Sequence, residues 1–373
     1  MSYVQASKGT QPKQLFVTKN EILKEEVQKS FENMGLAWRR RQTKFDKSSD
    51  EIKNATTEGV AVDCSPENEP RCFPLFLTSG EWLDILDKQL PGESFFSLNE
   101  LEERSRSLME YETTLELGIE AIFEDRNSRV NSEIQEKGRK MMTFITFKRL
   151  WRKINSRVKS SFDPALVWLE IKSHIKGSVE ALKLNSKDRL SRESRFLRLN
   201  EYLALPRKQS RITESQRRVV YDLYVSYEKV KREQNFYDEM DIVFQLAGRV
   251  NMFHENKETN NLLPYDSLFV DEVQDFTQAE LYVLTKMSKD PNNLMLAGDT
   301  AQSIAVGVGF RFTDLRQIFY NSFGGKDPEL LQLTHNYRSH SGILRLAACV
   351  VELLYFFFGD SLDKLPPDFG LFP

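Results

Sequence analysis

The stretch Leu-Phe-Val-Asp-Glu-Val-Gln-Asp at residues 268–275 decides the fold class. Such an apolar run is typical of a strand buried in a parallel sheet, and ligand chemistry in these sheets collects just beyond the carboxyl ends of the strands. Asp271 and Glu272 stand at such an end. In nucleotide hydrolysis one carboxylate holds Mg²⁺ while a neighbouring acid positions or deprotonates the attacking water. The pattern predicts a magnesium site, and its alternative is a solvated acidic turn after a strand.

Two further short strands end in polar residues that suit phosphate chemistry. The apolar residues 293–297 lead into Gly298, which permits a tight turn, and Gln302, whose amide can reach a phosphate or a water. A third unit places Tyr337 and Arg338 after a strand. A guanidinium presents a planar fork of donors to phosphoryl oxygens, and a tyrosine ring offers a face for a base. Their order along the chain makes the signal stronger than any one unit alone.

These units resemble the motifs of superfamily-one helicases of the bacterial UvrD, Rep and PcrA type. Residues 271–275 are similar to the family's Walker B element, residues 298–304 to its third motif, and residues 336–339 to the motif that opens its second motor domain. The phrasing at residues 307–312 is most similar to the helicase-like segment of large eukaryotic tetratricopeptide-and-ankyrin-repeat proteins. Weaker resemblances lie upstream, to motif Ia at 14–20, to the linking helical subdomain at 190–228, and to the acidic-aromatic segment before Walker B at 236–242.

The resemblance implies ATP and Mg²⁺ as cofactors, and single-stranded DNA or RNA as the partner. Asp271 would coordinate Mg²⁺, and Glu272 would polarise the attacking water. Gln302 would sense the γ-phosphate, and Arg338 would stabilise charge on the transferring phosphoryl group. The other matching residues fall into two sets, with Gln274, Asp275, Asp299 and Tyr337 expected at the nucleotide and Thr18, Lys19, Phe310 and Arg311 at the nucleic acid.

The implied fold class is α/β, with a RecA-like parallel-sheet motor core and an inserted, mainly helical subdomain. Apolar residues at helical spacing dominate between about residues 78 and 249, which favours that insertion. Five parts are predicted: motor domain 1A with motif Ia at 1–38, a flexible insertion at 39–71, a helical 1B-like subdomain at 72–235, the rest of motor domain 1A at 236–329, and the start of motor domain 2A at 330–373.

Two features of the family pattern are missing from this sequence. No Gly-Lys-Thr or Gly-Lys-Ser occurs anywhere in it, so the phosphate-cradling Walker A loop is absent. Because motif Ia begins near the N-terminus, we expect that loop to lie before Met1 and the late motifs to lie after Pro373. The chain is therefore expected to be an interior piece of a larger polypeptide, truncated at both ends and impaired in ATP turnover by itself.

The second departure concerns base stacking. Bacterial relatives carry Tyr, Arg and Trp just after Gln-Ser-Ile, where this chain has Ala305, Val306 and Gly307. An aromatic platform contributes about 1 to 3 kcal/mol per base, so its loss predicts a weaker grip on single strands. Phe310 and Arg311 lie a little further on and are candidates to replace it, with core packing as the alternative for the phenylalanine.

Composition is that of an ordered protein, and its charge is close to balanced. The 373 residues carry a formal net charge of −3, and 40% of them are hydrophobic. This net charge does not indicate whether the protein binds nucleic acid, because binding depends on the local distribution of charge. Two stretches, 137–159 and 187–218, are locally basic. Each is either a solvated amphipathic helix or a phosphate-tracking surface.

Targeting signals are absent from the sequence as it stands. Its three cysteines have no metal-ligand spacing and are expected to be free thiols. The apolar residues 346–358 are interrupted by Glu352 and are too short to span a membrane, so they predict a helix packed inside the second motor domain. We expect a cytoplasmic or nuclear protein without a membrane partner.

Three classes of function remain open. The chain is part of an ATP-dependent helicase or translocase, or it is a catalytically degenerate scaffold that keeps the helicase fold as an interaction module. The acids at 271, 272 and 275, together with Gln302 and Arg338, favour the first class, because an inert scaffold has no physical need for all five. The missing stacking residues favour the second. An unrelated carboxylate-metal hydrolase would need His or further Asp ligands at defined spacing, which the sequence does not offer.

Overall fold

The computed structural model describes fourteen parts of the chain, from the first strand to a short C-terminal one. They are residues 12–46, 73–97, 100, 139–183, 196–206, 210, 212–256, 265–299, 311–322, 324–325, 328–333, 335–337, 339–358 and 369–370. Three predicted site residues, Gln302, Phe310 and Arg338, lie outside them.

A four-stranded parallel sheet forms the centre of the fold. The strands are β1 (Gln14–Thr18), β2 (Leu75–Thr78), β5 (Ser267–Val270) and β6 (Leu294–Leu296). Their spatial order is β2-β1-β5-β6, so the two central strands are far apart in sequence. Val17 stands beside Leu77 on one side and Val270 on the other, and Val270 stands beside Leu296. The carboxyl ends of all four strands therefore lie along one edge.

The two faces of this sheet differ in burial. Leu15, Val17 and Leu268 alternate along their strands toward one face and are themselves fully buried. Phe269 and Met295 point the other way and are exposed to the extent of 38% and 61% within the described structure. The continuous apolar run of β5 thus predicted the strand, and only its alternate residues are core.

Helices occupy most of the described chain. Several begin with a capping box, in which a Thr side chain and a Glu or Gln three residues later satisfy the first N–H groups, as at Thr78 and Thr277. The helices before β5 are α1 (Glu21–Asp46), α2 (Ser79–Gln89), α3 (Phe144–Ile154), α4 (Pro164–Leu169), α5 (Val179–Lys183), α6 (Leu199–Leu203), α7 (Glu214–Glu233) and α8 (Glu239–Asn256), with a π-helix at Glu170–Lys176. After β5 come α9 (Gln278–Lys286), α10 (Phe312–Ser322) and α11 (Ser341–Phe358), with 3₁₀ turns at Val273–Asp275 and Pro291–Asn293.

Two local results differ from the predicted segmentation. Helix α1 continues to Asp46, beyond the boundary drawn at residue 38. Strand β2, placed by sequence in the helical subdomain that starts at residue 72, pairs with β1 in the main sheet. Its partner is more than fifty residues upstream, and local patterning carries no information about that pairing. Two minor parallel pairs, β3 (Lys140–Met141) with β4 (Phe236–Tyr237) and β7 (His335–Asn336) with β8 (Phe369–Gly370), are also found among the described residues.

The predicted C-terminal apolar helix is present as α11. Many of its large side chains face solvent in the described structure, among them Leu346, Leu353 and Phe356. Packing inside a second motor domain is thus not seen among the described residues. No helix among them is both long and apolar enough to cross a membrane.

Candidate functional site

The carboxyl ends of three strands meet around the turn that follows β5. The N–H of Asp271 donates to the carbonyl of Val17 at the end of β1 (3.0 Å), and the N–H of Val273 donates to the carbonyl of Ala297 just after β6 (2.9 Å). Between them Glu272 takes a left-handed backbone conformation, with φ of 53°. For a residue other than glycine this conformation is uncommon and occurs often at functional sites. The turn therefore presents two adjacent acids at the edge where the sequence predicted them.

Gln274 connects the two loops of this edge. Its side chain is only 1% exposed. Its amide nitrogen donates to a carboxylate oxygen of Glu272 in a short hydrogen bond, and its amide oxygen accepts the backbone N–H of Asp299 at 3.0 Å. Gln274 therefore orients Glu272 and holds the loop after β6 against it.

Gly298 is required by this close approach. A Cβ atom at that position would lie 2.5 Å from the Gln274 amide oxygen and 2.7 Å from a methyl carbon of Val273. Side chains essentially never tolerate such distances, so the loop after β6 can pass Gln274 only with glycine at this point. The expected tight turn is therefore a tight contact between two loops.

The donor set at the turn fits a magnesium ion. Asp271 and Glu272 are both partly exposed, and one oxygen of the Asp271 carboxylate accepts the N–H of Glu272 at 2.9 Å. Mg²⁺ prefers oxygen ligands, and at phosphate sites it uses one or two carboxylates together with water and phosphate oxygens. The arrangement can hold a hydrated magnesium ion beside a second carboxylate.

Thr18 and Lys19 occupy the same edge but are engaged in the protein interior. The Thr18 side chain is fully buried, and its hydroxyl accepts the N–H of Asn20. The Lys19 ammonium forms ion pairs with Glu239 at the start of α8 (2.6 Å) and with Glu280 in α9. These contacts favour a structural role for both residues.

The Lys19 cluster, defined as Lys19, Lys172, Glu239 and Glu280, was not foreseen from the sequence. Lys172 in the π-helix pairs with Glu239 at 2.9 Å. Glu280 also closes the capping box of α9 by accepting the N–H of Thr277 at 2.8 Å. A Thr and Glu three residues apart predict such a cap, but no local signal predicts the cation that the second carboxylate oxygen meets.

Burial and opposite charges compete within the Lys19 cluster. Burial alone would lower the pKa of Lys19, but the carboxylates of Glu239 and Glu280 outweigh it and raise that pKa. Burial and the nearby Glu239 charge raise the pKa of Glu280. Burial would likewise raise the pKa of Glu239, yet Lys172 and Lys19 hold it well below its usual range.

The remaining predicted residues are less tightly placed. Asp275 lies partly buried in the 3₁₀ turn after Glu272, and Asp299 lies in the loop after β6. Arg311 precedes α10, where its carbonyl accepts the N–H of Asp314 at 3.2 Å. Tyr337 follows β7 and is 73% exposed. The structure thus brings Asp271, Glu272, Gln274 and Asp299 together, while Tyr337 stands on an open surface.

A cleft beside the Lys19 cluster also escaped the sequence analysis. It encloses about 200 Å³, and Phe144, Trp168 and Tyr227 form its aromatic wall. Glu239 and Lys172 line it as well, so the cleft and the sheet edge share members of one ion-pair cluster. Periodicity shows which residues share a helix face but not whether the space beside that face is filled, so the sequence carried no signal for this cleft.

A family model and several curated proteins match this chain. The model of the UvrD/REP helicase N-terminal domain covers residues 96–321. The human TPR and ankyrin repeat-containing protein 1 is 36% identical over 96% of this chain, and the match covers 12% of that protein. The exonuclease/helicase subunit RexA of Lactococcus lactis and the ATP-dependent DNA helicase PcrA of Bacillus subtilis are each 27% identical over 36% of this chain.

The matches confirm the resemblance predicted from the motifs. The chain spans 12% of the length of the human repeat protein, 11% of the Lactococcus protein and 18% of PcrA. The family model covers more than half of the chain, from the region after α2 to the last residues of α10. On these grounds the chain belongs to the UvrD/REP helicase N-terminal domain family.

Proposed function

We propose that this chain is part of an ATP-dependent helicase or translocase, which hydrolyses ATP with Mg²⁺ to move along single-stranded DNA or RNA. The observation that carries the proposal is the turn after β5, where Asp271 and Glu272 stand side by side and Gln274 ties Glu272 to the loop after β6. A solvated acidic turn has no need of a buried amide between its carboxylate and a neighbouring loop. RecA-like motor architecture and a cytoplasmic or nuclear location belong to the same proposal.

Each residue of the turn has a separate task in this proposal. Asp271 would hold Mg²⁺, which when bound neutralises charge on the phosphates. Glu272 would accept a proton from the attacking water, because its carboxylate is fixed by Gln274 and stands partly open to solvent. Gln274 is a positioning residue. Because it contacts both groups, a movement of the loop at Asp299 would also shift the Glu272 carboxylate. Asp275 and Asp299 would support the nucleotide side of the same edge.

The roles proposed for residues beyond this turn rest on the likeness to the helicase family. Gln302 would sense the γ-phosphate, Arg338 would stabilise the transferring phosphoryl group, and Tyr337 would stack on the base. Phe310 and Arg311 would contact the nucleic acid. The exposure of Tyr337 is compatible with a stacking role, whereas the burial of Thr18 and the ion pairs of Lys19 favour their structural role at the same edge.

The proposal is tested by nucleotide binding measured with and without magnesium. We expect a fluorescent ATP analogue to bind more tightly when Mg²⁺ is present. Asp271→Asn should weaken this Mg²⁺-dependent binding about tenfold or more, which corresponds to about 1.4 kcal/mol. Glu272→Gln should keep the binding and abolish whatever slow turnover the chain shows. Glu93→Gln, a matched change at an exposed residue of the loop after α2, should leave both unchanged.

Two results would contradict it. One is nucleotide binding that does not depend on Mg²⁺, and the other is an Asp271→Asn variant that binds as the unchanged chain does. Either would favour the second candidate, a degenerate helicase-fold scaffold. That candidate is supported by the presence of Ala305, Val306 and Gly307 in place of stacking residues.

A further inference from the structure

Positive charge is concentrated around helix α3 to an unusual degree. Residues 137–159 contain nine Lys or Arg and no Asp or Glu, in a chain whose formal net charge is −3. All four basic residues within α3 itself are exposed: Lys148, Arg149, Arg152 and Lys153. Charge is thus segregated onto one element, although the chain as a whole is slightly acidic.

Packing fixes which face of α3 looks outward. Phe147 and Ile154 are seven residues apart, lie on one side of the helix and are fully buried. The Phe147 ring contacts the rings of Trp168 and Tyr227, with centroids 5.1 and 5.6 Å away. Because these contacts hold the inner face against α4 and α7, the basic side chains are displayed together on the outer one.

Three of the four basic side chains of α3 are not balanced by the described protein. Lys153 pairs with Glu233 of α7 at 3.1 Å. Lys148, Arg149 and Arg152 form no ion pair with any residue that the structure describes. Lys148 and Arg152, like Arg149 and Lys153, are four residues apart, and like charges at this spacing destabilise a helix by about 0.2 to 0.5 kcal/mol per pair.

Helix stability alone explains only half of the pattern. Arg152 and Lys153 stand in the last turn, where positive charge interacts favourably with the helix dipole. Lys148 and Arg149 stand in the middle of the helix, where that benefit is lost. Exposed Ile145, 64% accessible on the same face, adds an apolar contact beside the charges.

We propose that the α3 face, defined by Ile145, Lys148, Arg149 and Arg152, binds the phosphate backbone of a nucleic acid. Lys148 and Arg152 are about 6 Å apart along the helix axis, so their flexible side chains can reach successive phosphates of one strand. Arginine also matches phosphate oxygens with two parallel hydrogen bonds. This inference rests on the proposed function for the identity of the polyanion, and it places a backbone contact outside the residues of the helicase motifs.

The test measures affinity for a short labelled single-stranded DNA over a series of salt concentrations, without nucleotide. Each phosphate neutralised on a single strand contributes about 0.7 to the slope of log affinity against log salt. The triple variant Lys148→Gln, Arg149→Gln and Arg152→Gln should lower that slope by about 2 and weaken binding at least about tenfold at low salt. Since like-charge pairs are removed, its thermal midpoint should not fall.

A matched control removes the same charge elsewhere. Lys29, Lys229 and Lys289 are exposed and lie outside both basic stretches, and each forms an ion pair with a glutamate or an aspartate. Changing these three to Gln should leave the salt slope unchanged. Parallel measurements with RNA and with duplex DNA show which form of the backbone is preferred.

Three results would overturn the inference. The first is an unchanged slope in the α3 triple variant, and the second is an equal change in the control. The third is displacement of the nucleic acid by polyglutamate at equal charge concentration, which would mark the face as a dock for acidic proteins. Because Glu272→Gln leaves the α3 face intact, retention of the slope in that variant separates this inference from the ATP proposal.

Discussion

At the scale of single residues, the site depends on one amide between two acids. Gln274 joins the Glu272 carboxylate to the backbone of Asp299, and Gly298 leaves the room that this contact needs. The sequence placed Glu272, Gln274 and Asp299 near the nucleotide without showing that Gln274 bridges two loops. The bridge gives the Glu272 carboxylate a hydrogen-bond donor and fixes its orientation.

Gly298→Ala tests the bridge directly. The added methyl would fall 2.5 Å from the Gln274 amide oxygen, so the loop or the amide must shift. We expect a loss of about 1 to 3 kcal/mol in the free energy of unfolding, measured by urea denaturation. Gly80→Ala in α2 is the control, since its methyl meets nothing within 4 Å and alanine favours a helix. Equal stability of the two variants would refute the close contact.

Lys19 was predicted to contact nucleic acid, but its ammonium group forms ion pairs with two glutamates of the protein. Lys19→Met leaves Glu239 and Glu280 without their shared cation, and we expect a loss of about 3 kcal/mol in unfolding free energy. Lys88→Met, at an exposed position, should change it by only a few tenths. Thermal and urea unfolding measure both.

The deficit of the Lys19→Met variant should depend on pH. Burial and the Glu239 charge raise the pKa of Glu280 in the folded protein. Protonation of this carboxyl therefore stabilises the fold at low pH, and the stabilisation is lost as the pH rises through the folded pKa. The Lys19 ammonium opposes this rise in pKa, so its removal should raise the pKa of Glu280 further. The variant should therefore lose more stability at pH 8 than at pH 5, and a deficit that is larger at pH 5 would contradict the assignment.

At the scale of elements, a second buried cluster joins the π-helix, α7 and the start of α8. Lys231 contacts Asp238 at 3.0 Å and Asp241 at 2.7 Å, and Lys176 contacts Asp241 at 2.9 Å. The Tyr227 hydroxyl donates to Asp238 at 2.7 Å. Two ammonium groups among these acids and Glu228 explain the crowding of carboxylates without a metal ion.

Asp238→Asn should break this cluster. Removing one partner of a buried pair costs about 3 to 5 kcal/mol, because the lysines keep their charge. Asp222→Asn, at an exposed position of α7, is the control and should change unfolding free energy by less than about 0.5 kcal/mol. Chemical denaturation at neutral pH measures the difference.

The contribution of Asp238 has a defined pH window. Burial alone would raise its pKa, but Lys176 and Lys231 outweigh that and hold the pKa far below its usual range. Because the unfolded value is near 3.9, the stabilisation is complete above about pH 5 and is lost as pH falls through the folded pKa. The difference between the unchanged chain and Asp238→Asn should stay constant from pH 7 to about pH 5 and shrink in stronger acid.

At the scale of the whole molecule, α11 stands out as an apolar helix with an open surface. Leu346 and Leu353 are seven residues apart on one face and are more than half exposed within the described structure. Such patches promote association in water. We expect Leu346→Lys with Leu353→Lys to lower concentration-dependent light scattering while the thermal midpoint stays within a degree or two, because neither side chain is part of the core. A large fall in the midpoint would show that α11 is packed in solution.

Some of this architecture was predictable because the information is local. The apolar run before Asp271 predicted β5, the Thr-to-Glu spacing predicts the caps, and the apolar residues 346–358 predicted α11. The two partners of Lys19 were not predictable, because they lie 220 and 261 residues away in sequence. The same holds for β2, whose place beside β1 is set by the assembled sheet.

By itself the sequence determined the family, the adjacent acids at the end of β5, and the segregation of positive charge onto α3. Periodicity and residue chemistry encode these, since each depends on neighbours within a few turns. Only the tertiary structure decided the strand order, the burial of Thr18, the bridge made by Gln274 and the outward direction of the α3 charges. The physical reason is that these follow from which distant elements pack together, and packing is a property of the whole fold.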